Sequence, residues 1–328
     1  MHIGSHYKLS EFLLWTRRDI YKLILLSLIP TLLYEIVGWK WIAIPWVPIA
    51  LIGTAAAFIV GFKNTQTYNR LWEARQIWGA IVNSSRTWGI MVKDFIRADR
   101  PLHQQLIYTH CAWLTALRYQ LREPRNWENL TKPYNIEYLR FYKIPEREGN
   151  LQEDLKKYLS DEDLKYISSK KNKATQIISL QSKTLKELRD AGKVDSFEYV
   201  EMERRLADLY EQQGKCERIK NFPYPRQFAS INLFFIWLFV ILLPFALLNE
   251  FQKLGEHFVW LAIPFGVMVS WVFIAMEKVG EATENPFEGG ANDIPMAALS
   301  RTIEIDLLDM LDEKNLPEPL KPTNNILL

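Results

Sequence analysis

Cysteine is nearly absent. Two residues of 328, Cys111 and Cys216, cannot build a disulfide scaffold, and neither sits in a CxxC pair, which excludes a zinc ribbon or a thioredoxin-like site. A surplus of one charge is missing too. The 40 Lys and Arg stand against 38 Asp and Glu, net +2, whereas a nucleic-acid-binding chain is normally basic and a disordered acidic chain is not balanced. No GxSxG, HExxH or GxxxxGK[ST] motif occurs, so none of the hydrolase, metalloprotease or P-loop signatures applies. The five histidines, His2, His6, His103, His110 and His257, lack metal-ligand spacing. Residues 1–19 carry no apolar run or cleavage site, so no secretory signal peptide is expected.

The most informative absence is local. Asp, Glu, Lys and Arg are missing from Trp41–Phe62, from Gln227–Asn249 and from His257–Met276, each about 20 residues long. That length as a helix crosses roughly 30 Å of hydrocarbon. A fourth, weaker segment runs from Ile20 to Val37, with Lys22 and Glu35 near its ends, where long side chains reach the interface. Buried helices of a soluble enzyme are the bland alternative. Two features oppose it. The segments come as close pairs, 20–37 with 41–62 and 227–249 with 257–276, and their borders hold Trp15, Tyr21, Trp39, Trp41, Trp46, Tyr224, Trp260 and Trp271. Such aromatic belts mark bilayer interfaces.

Lys and Arg flank the pairs on one side: Arg17, Arg18 and Lys22, then Lys63, Arg70 and Arg75, then Lys215, Arg218, Lys220 and Arg226. The tight connections hold one each, Lys40 and Lys253. The positive-inside rule therefore predicts both termini and the long middle in the cytoplasm, and a multi-pass protein of the cell inner membrane. The predicted organisation is residues 1–63 with the first two spans, 64–226 as a cytosolic helical region, 227–276 with spans three and four, and 277–328 as a cytosolic C-terminal segment. The fold class is all-α.

No breaker follows the second span, and apolar residues recur at helical spacing from Leu71 through Trp78, Val82 and Trp88 to Phe95, so that helix is expected to continue far past Lys63. A helix is predicted over 102–121 and a charged helical hairpin over 161–217, broken near Ala191-Gly192; 123–149 and the Pro-rich tail 315–328 read as irregular. Interspersed Glu and Lys make the hairpin a solvated surface rather than a nucleic-acid patch. On the second span Thr54, Phe58 and Phe62 fall at i, i+4, i+8 on one face, among the small residues Gly53, Ala55, Ala56, Ala57 and Gly61. From spacing alone these side chains either line a pore or face lipid or a neighbouring helix. The membrane runs hold only Thr54, Ser230, Ser270 and the peripheral His257 as candidate nucleophiles or bases, which argues against an intramembrane enzyme.

Several local stretches, in order along the chain, resemble the bestrophins in their shorter prokaryotic form. They are Trp15-Thr-Arg-Arg-Asp-Ile-Tyr-Lys-Leu23, Gly61-Phe62 followed by Asn69-Arg70-Leu-Trp72-Glu73, Ile219 to Pro225, and Asn285-Pro286-Phe287. The resemblance covers roughly 12–97 and 215–311; residues 98–214 match no motif. It implies a homopentameric ion channel in a lipid membrane with one pore on the five-fold axis. It further implies a hydrophobic neck at Thr54, Phe58 and Phe62 and a cytosolic aperture at Ile219. Thr54 departs from the bulky aliphatic residue common in the family. Eukaryotic members hold calcium in an acidic clasp after the Asn-Pro-Phe motif. Here Asn285, Pro286, Phe287, Glu288 and Asp293 keep only part of that run, so the clasp is read as vestigial, with no metal or other cofactor expected. The permeating ion is read as chloride. The alternatives are a cation channel for Na⁺ or K⁺ with the same architecture, and a non-conducting scaffold that binds partners through 98–214.

Overall fold

The computed structural model describes residues 1–328, the side chain of Glu256 excepted. Helices follow one another as α1 (Leu9–Glu35), α2 (Trp46–Phe95), α3 (Arg100–Arg122), α4 (Pro133–Tyr138), α5 (Pro145–Glu148), α6 (Leu151–Leu155), α7 (Asp161–Ser168), α8 (Lys173–Asp190), α9 (Ser196–Asn221), α10 (Arg226–Gln252), α11 (Ala262–Glu284) and α12 (Met296–Met310). Among the described residues no β-strand forms; isolated bridges join His2 and Thr323 to Ile326 and fix the tail. The predicted all-α class and the predicted continuation of the second apolar helix are both found, the latter as one uninterrupted helix of 50 residues.

Local chemistry sets the boundaries. Asp195 and Glu198 form a reciprocal capping box at the start of α9, and the side chain of Asn172 caps α8. Between them the chain reverses at Gly192, whose φ of +70° is in the left-handed region that glycine enters without cost. The stretch 123–149, expected to be irregular, contains the short helices α4 and α5, each with proline in its first turn. Proline fits there because the first N–H groups of a helix have no intrahelical partner.

Three helical stretches are long and apolar enough to cross a membrane: Trp46–Phe95, Arg226–Gln252 and His257–Glu284. α1 carries Arg17, Arg18, Asp19 and Lys22 and is not among them, but it packs against α10 and α11. Two cores result. At the apolar end Leu23, Ile49, Val60, Ile236, Phe239, Val240 and Leu243 pack together. There α2 approaches α10 so closely that a Cβ on Gly53 would lie 2.6 Å from the Phe239 ring. At the charged end the second half of α2 joins α3, α8, α9 and α12 around Trp78, Trp88 and Trp113. Both cysteines are buried there, where burial raises the thiol pKa and leaves them inert.

Candidate pore-lining site

The first half of α2 has two distinct faces. Gly53, Ala56, Val60 and Lys63 are buried against the neighbouring apolar helices. The opposite face carries Leu51, Thr54, Phe58 and Phe62, all exposed on the single chain. Phe58 is 76% and Phe62 49% exposed, on the same face as the exposed Leu51. The Thr54 hydroxyl donates to the Ala50 carbonyl at 2.9 Å, so its own helix satisfies it and its methyl group is free to face outward. Thr65, one turn on, is exposed and bonded to Gly61 in the same way. The structure thus brings Thr54, Phe58 and Phe62 onto one surface that the chain itself does not cover.

The charges following this stripe do not all face it. Lys63 is buried and forms an ion pair with Glu277 of α11, whose second carboxylate oxygen accepts from Asn232 of α10. Arg70 turns inward as well. It donates to the carbonyls of Glu284 at 2.8 Å, Phe222 at 2.6 Å and Ile219, tying the ends of α9 and α11 to α2. Arg218 pairs with Glu73, and Arg226 with Glu284. Arg75 stays exposed and has no carboxylate partner among the described residues; its guanidinium lies 5.8 Å from the Trp72 ring. The sequence shows three cations after the stripe. It does not show that two of them point into the protein, because that depends on where α9, α10 and α11 dock.

Ile219, the aperture residue implied by the resemblance, is 3% exposed and belongs to the core at the charged end of the single chain. It was placed by its neighbourhood in a motif, but that motif's role here is to offer a backbone carbonyl to Arg70. The helix that carries it does expose a large apolar side chain, Phe197, 86% exposed in the capped first turn of α9. No periodic signal singled that residue out, since an isolated Phe beside charged residues reads equally well as core.

Asn285, Pro286, Phe287, Glu288 and Asp293 come together in a buried turn between α11 and α12. Asp293 accepts from the Gly289 and Gly290 amides at 2.7 and 3.0 Å and lies 3.7 Å from the Arg122 guanidinium. Arg122 also donates to the Phe287 carbonyl at 2.9 Å. Glu288 accepts from the Asn129 amide at 2.8 Å. Burial pushes the Asp293 carboxyl up to about 6, against the pull of Arg122 and the two amides. It drives Glu288 well above the carboxylate range, reinforced by Asp293. This donor set does not fit calcium, which takes about six to eight oxygen ligands. Both amides and the arginine fall on Asp293 Oδ2, and no group of three or more acidic, His or Cys side chains is gathered among the described residues.

A long, largely apolar helix with an uncovered aromatic stripe, docked on two further apolar helices above a charged helical body, defines a helical membrane protein. Residues 16–309 match the family model described as bacterial/fungal bestrophin protein, and the chain belongs to the bestrophin family. That span includes 98–214, where no motif was legible. The chain is 30% identical over 288 residues to the voltage-dependent anion channel-forming protein YneE of Salmonella typhi, covering 87% of this chain and 82% of the relative. It is 28% identical over 279 residues to the protein of the same name from Escherichia coli K12, covering 84% and 80%. Among solved structures it resembles a bacterial bestrophin homologue from Klebsiella pneumoniae, with a TM-score of 0.77 and 26% identity over 91% of this chain and 99% of that one.

Proposed function

We propose that this protein is the subunit of a homopentameric anion channel, with chloride as the main permeating ion and a hydrophobic neck made by rings of Thr54, Phe58 and Phe62. The observation that carries the reading is the uncovered stripe. Two phenylalanines stand out from a helix whose other face is fully packed, and five copies around an axis would bring those rings together. Membership of the bestrophin family and the names of the YneE relatives support the anion reading. So does electrostatics: Phe ring edges are electropositive, the stretch 41–62 has no carboxylate, and Arg75 remains exposed behind the neck. A constriction of this kind gates by dewetting and catalyses nothing.

In this arrangement α1 is the fourth span, its Arg17, Arg18 and Lys22 at the cytoplasmic border. Both termini and residues 64–226 are cytoplasmic, and the membrane is the cell inner membrane. Ile219 has no part in the proposal, nor does any cofactor.

The test is the reversal potential of the purified protein in planar bilayers under a KCl gradient. A shift toward the chloride equilibrium potential, with Phe58→Ala changing the conductance, is the expected result. A shift toward potassium would keep the pore and replace the ion. An absence of current from a verified oligomer, or a Phe58→Ala channel identical to the wild type, would overturn the conducting or the neck assignment respectively.

A further inference from the structure

A cavity of about 300 Å³ lies where the N-terminal segment and the start of α1 meet residues 130–142 and the turn after α11. None of its lining residues belongs to α2, so it is separate from the aromatic stripe. Its walls are rings: Phe12 and Trp15 with centroids 5.8 Å apart, and Tyr138 and Tyr142 at 6.1 Å. Two carboxylates, Glu11 and Glu288, line it, and no Lys, Arg or His does.

The charges are the telling part. Glu288 is buried at 3% exposure, and its Oε2 accepts from the Asn129 amide. Its Oε1 has no hydrogen-bond or ion-pair partner among the described residues. Glu11, on the first turn of α1, has no ion pair among them either. Two cations lie beside the walls, and both are committed: Lys278 donates to the Trp15 carbonyl at 3.2 Å and pairs with Asp19 at 2.6 Å, and Arg147 donates to the Glu288 carbonyl at 3.4 Å. No positively charged side chain lines the cavity to hold an anionic ligand, and the Tyr142 hydroxyl already donates to the Gly289 carbonyl and that of Tyr7 to Asn292. For a metal ion, no group of three or more acidic, His or Cys side chains is gathered among the described residues. An organic cation meets both demands at once. Its apolar body packs on the rings, its charge is attracted by their faces, and it supplies the countercharge that the carboxylates lack.

We propose that this cavity binds a small organic cation of the quaternary-ammonium type. The volume is at the lower end of the range for ligand pockets, which suits a headgroup-sized molecule rather than a long chain. A cation beside Glu288 favours its ionised form and so offsets the burial that disfavours it. The site joins the start of α1 to the turn after α11, and the proposal stands whether or not the chain conducts.

Isothermal titration of the purified full-length oligomer in detergent tests it, with choline as the probe. The control is 3,3-dimethylbutan-1-ol, which has the same shape and no charge. Choline should bind, and the neutral isostere about tenfold more weakly or worse. Glu288→Gln should weaken choline binding. Glu11→Gln, at a half-exposed position that does not threaten folding, should weaken it less while the oligomer elutes unchanged. Equal binding of the two probes, no choline binding by the folded wild type, or full binding by both folded variants would each overturn the assignment.

Discussion

The two halves of α2 obey opposite rules. In the first half, large apolar side chains such as Val47, Leu51 and Phe58 stand exposed, while the small residues Gly53 and Ala56 are buried. In the second half the large residues Trp78, Ile81, Trp88 and Val92 are buried, and Arg75, Arg86, Lys93 and Asp94 are exposed. One helix thus presents an inside-out face and then an ordinary one. In water the first half would be an aggregation surface. In lipid, apolar exposure costs nothing, and close packing of small residues becomes the source of helix association. The charged half packs its large residues into the chain's own core. The apolar half keeps exposed faces that the chain itself does not cover.

That contrast can be broken most directly with aromatic truncations. Trp113 is fully buried at the charged end, and its indole N–H donates to Gln213 at 2.9 Å. Trp113→Ala should cost about 3–5 kcal/mol in chemical denaturation of the detergent-solubilised protein. Phe58→Ala should leave the same denaturation midpoint in place. If the two variants lost similar stability, the stripe would be core and not a free face.

The next effect concerns the boundary between the halves. Lys63→Met removes the partner of Glu277 and leaves a buried carboxylate beside Asn232, which should cost about 3–5 kcal/mol. The double variant Lys63→Met with Glu277→Leu should recover most of that loss, measured by thermal unfolding. A Lys63→Met protein as stable as wild type would mean that the pair is solvated.

Glycines sharpen the comparison at smaller cost. A Cβ on Gly89 meets the Leu307 side chain, so Gly89→Ala should destabilise by about 1–3 kcal/mol. A Cβ on Gly61 meets nothing within 4 Å in the chain itself. Gly61→Ala should therefore leave the subunit's fold unharmed. A loss of oligomer on size-exclusion chromatography would show that another subunit covers that position.

The smallest effect is pH dependence in the turn after α11. Burial holds Asp293 near 6 against an ordinary 3.8, so between those values the folded chain binds the proton and the unfolded chain does not. Stability should therefore fall as pH rises from about 4 to about 6, with Glu288 adding in the same direction. Asp293→Asn should flatten that part of the profile in urea titrations at stepped pH. An unchanged slope would place the proton elsewhere.

Much of this was legible beforehand because it depends on neighbours along the chain. The 50-residue helix follows from an apolar period without breakers, and the break at Gly192 from the residue that tolerates its φ. The shared face of Thr54, Phe58 and Phe62 follows from helical spacing alone. The burial of Ile219 was hidden for the complementary reason. Its helix was readable, but which side of α9 meets α2 is set by packing partners more than a hundred residues away in sequence. The inward turn of Arg70 and Lys63, the pairing of Asp293 with Arg122, and the aromatic cavity beside Glu288 were hidden in the same way.

The sequence by itself determined the helices, the long apolar stretches and the stripe, because uncharged length and a 3.6-residue period are properties of consecutive residues. Only the tertiary structure decided which charges remain free, which carboxylates lack a partner and which side chains the chain leaves uncovered. Those outcomes depend on distances between segments far apart in the chain, and burial makes each unpaired charge costly enough to matter.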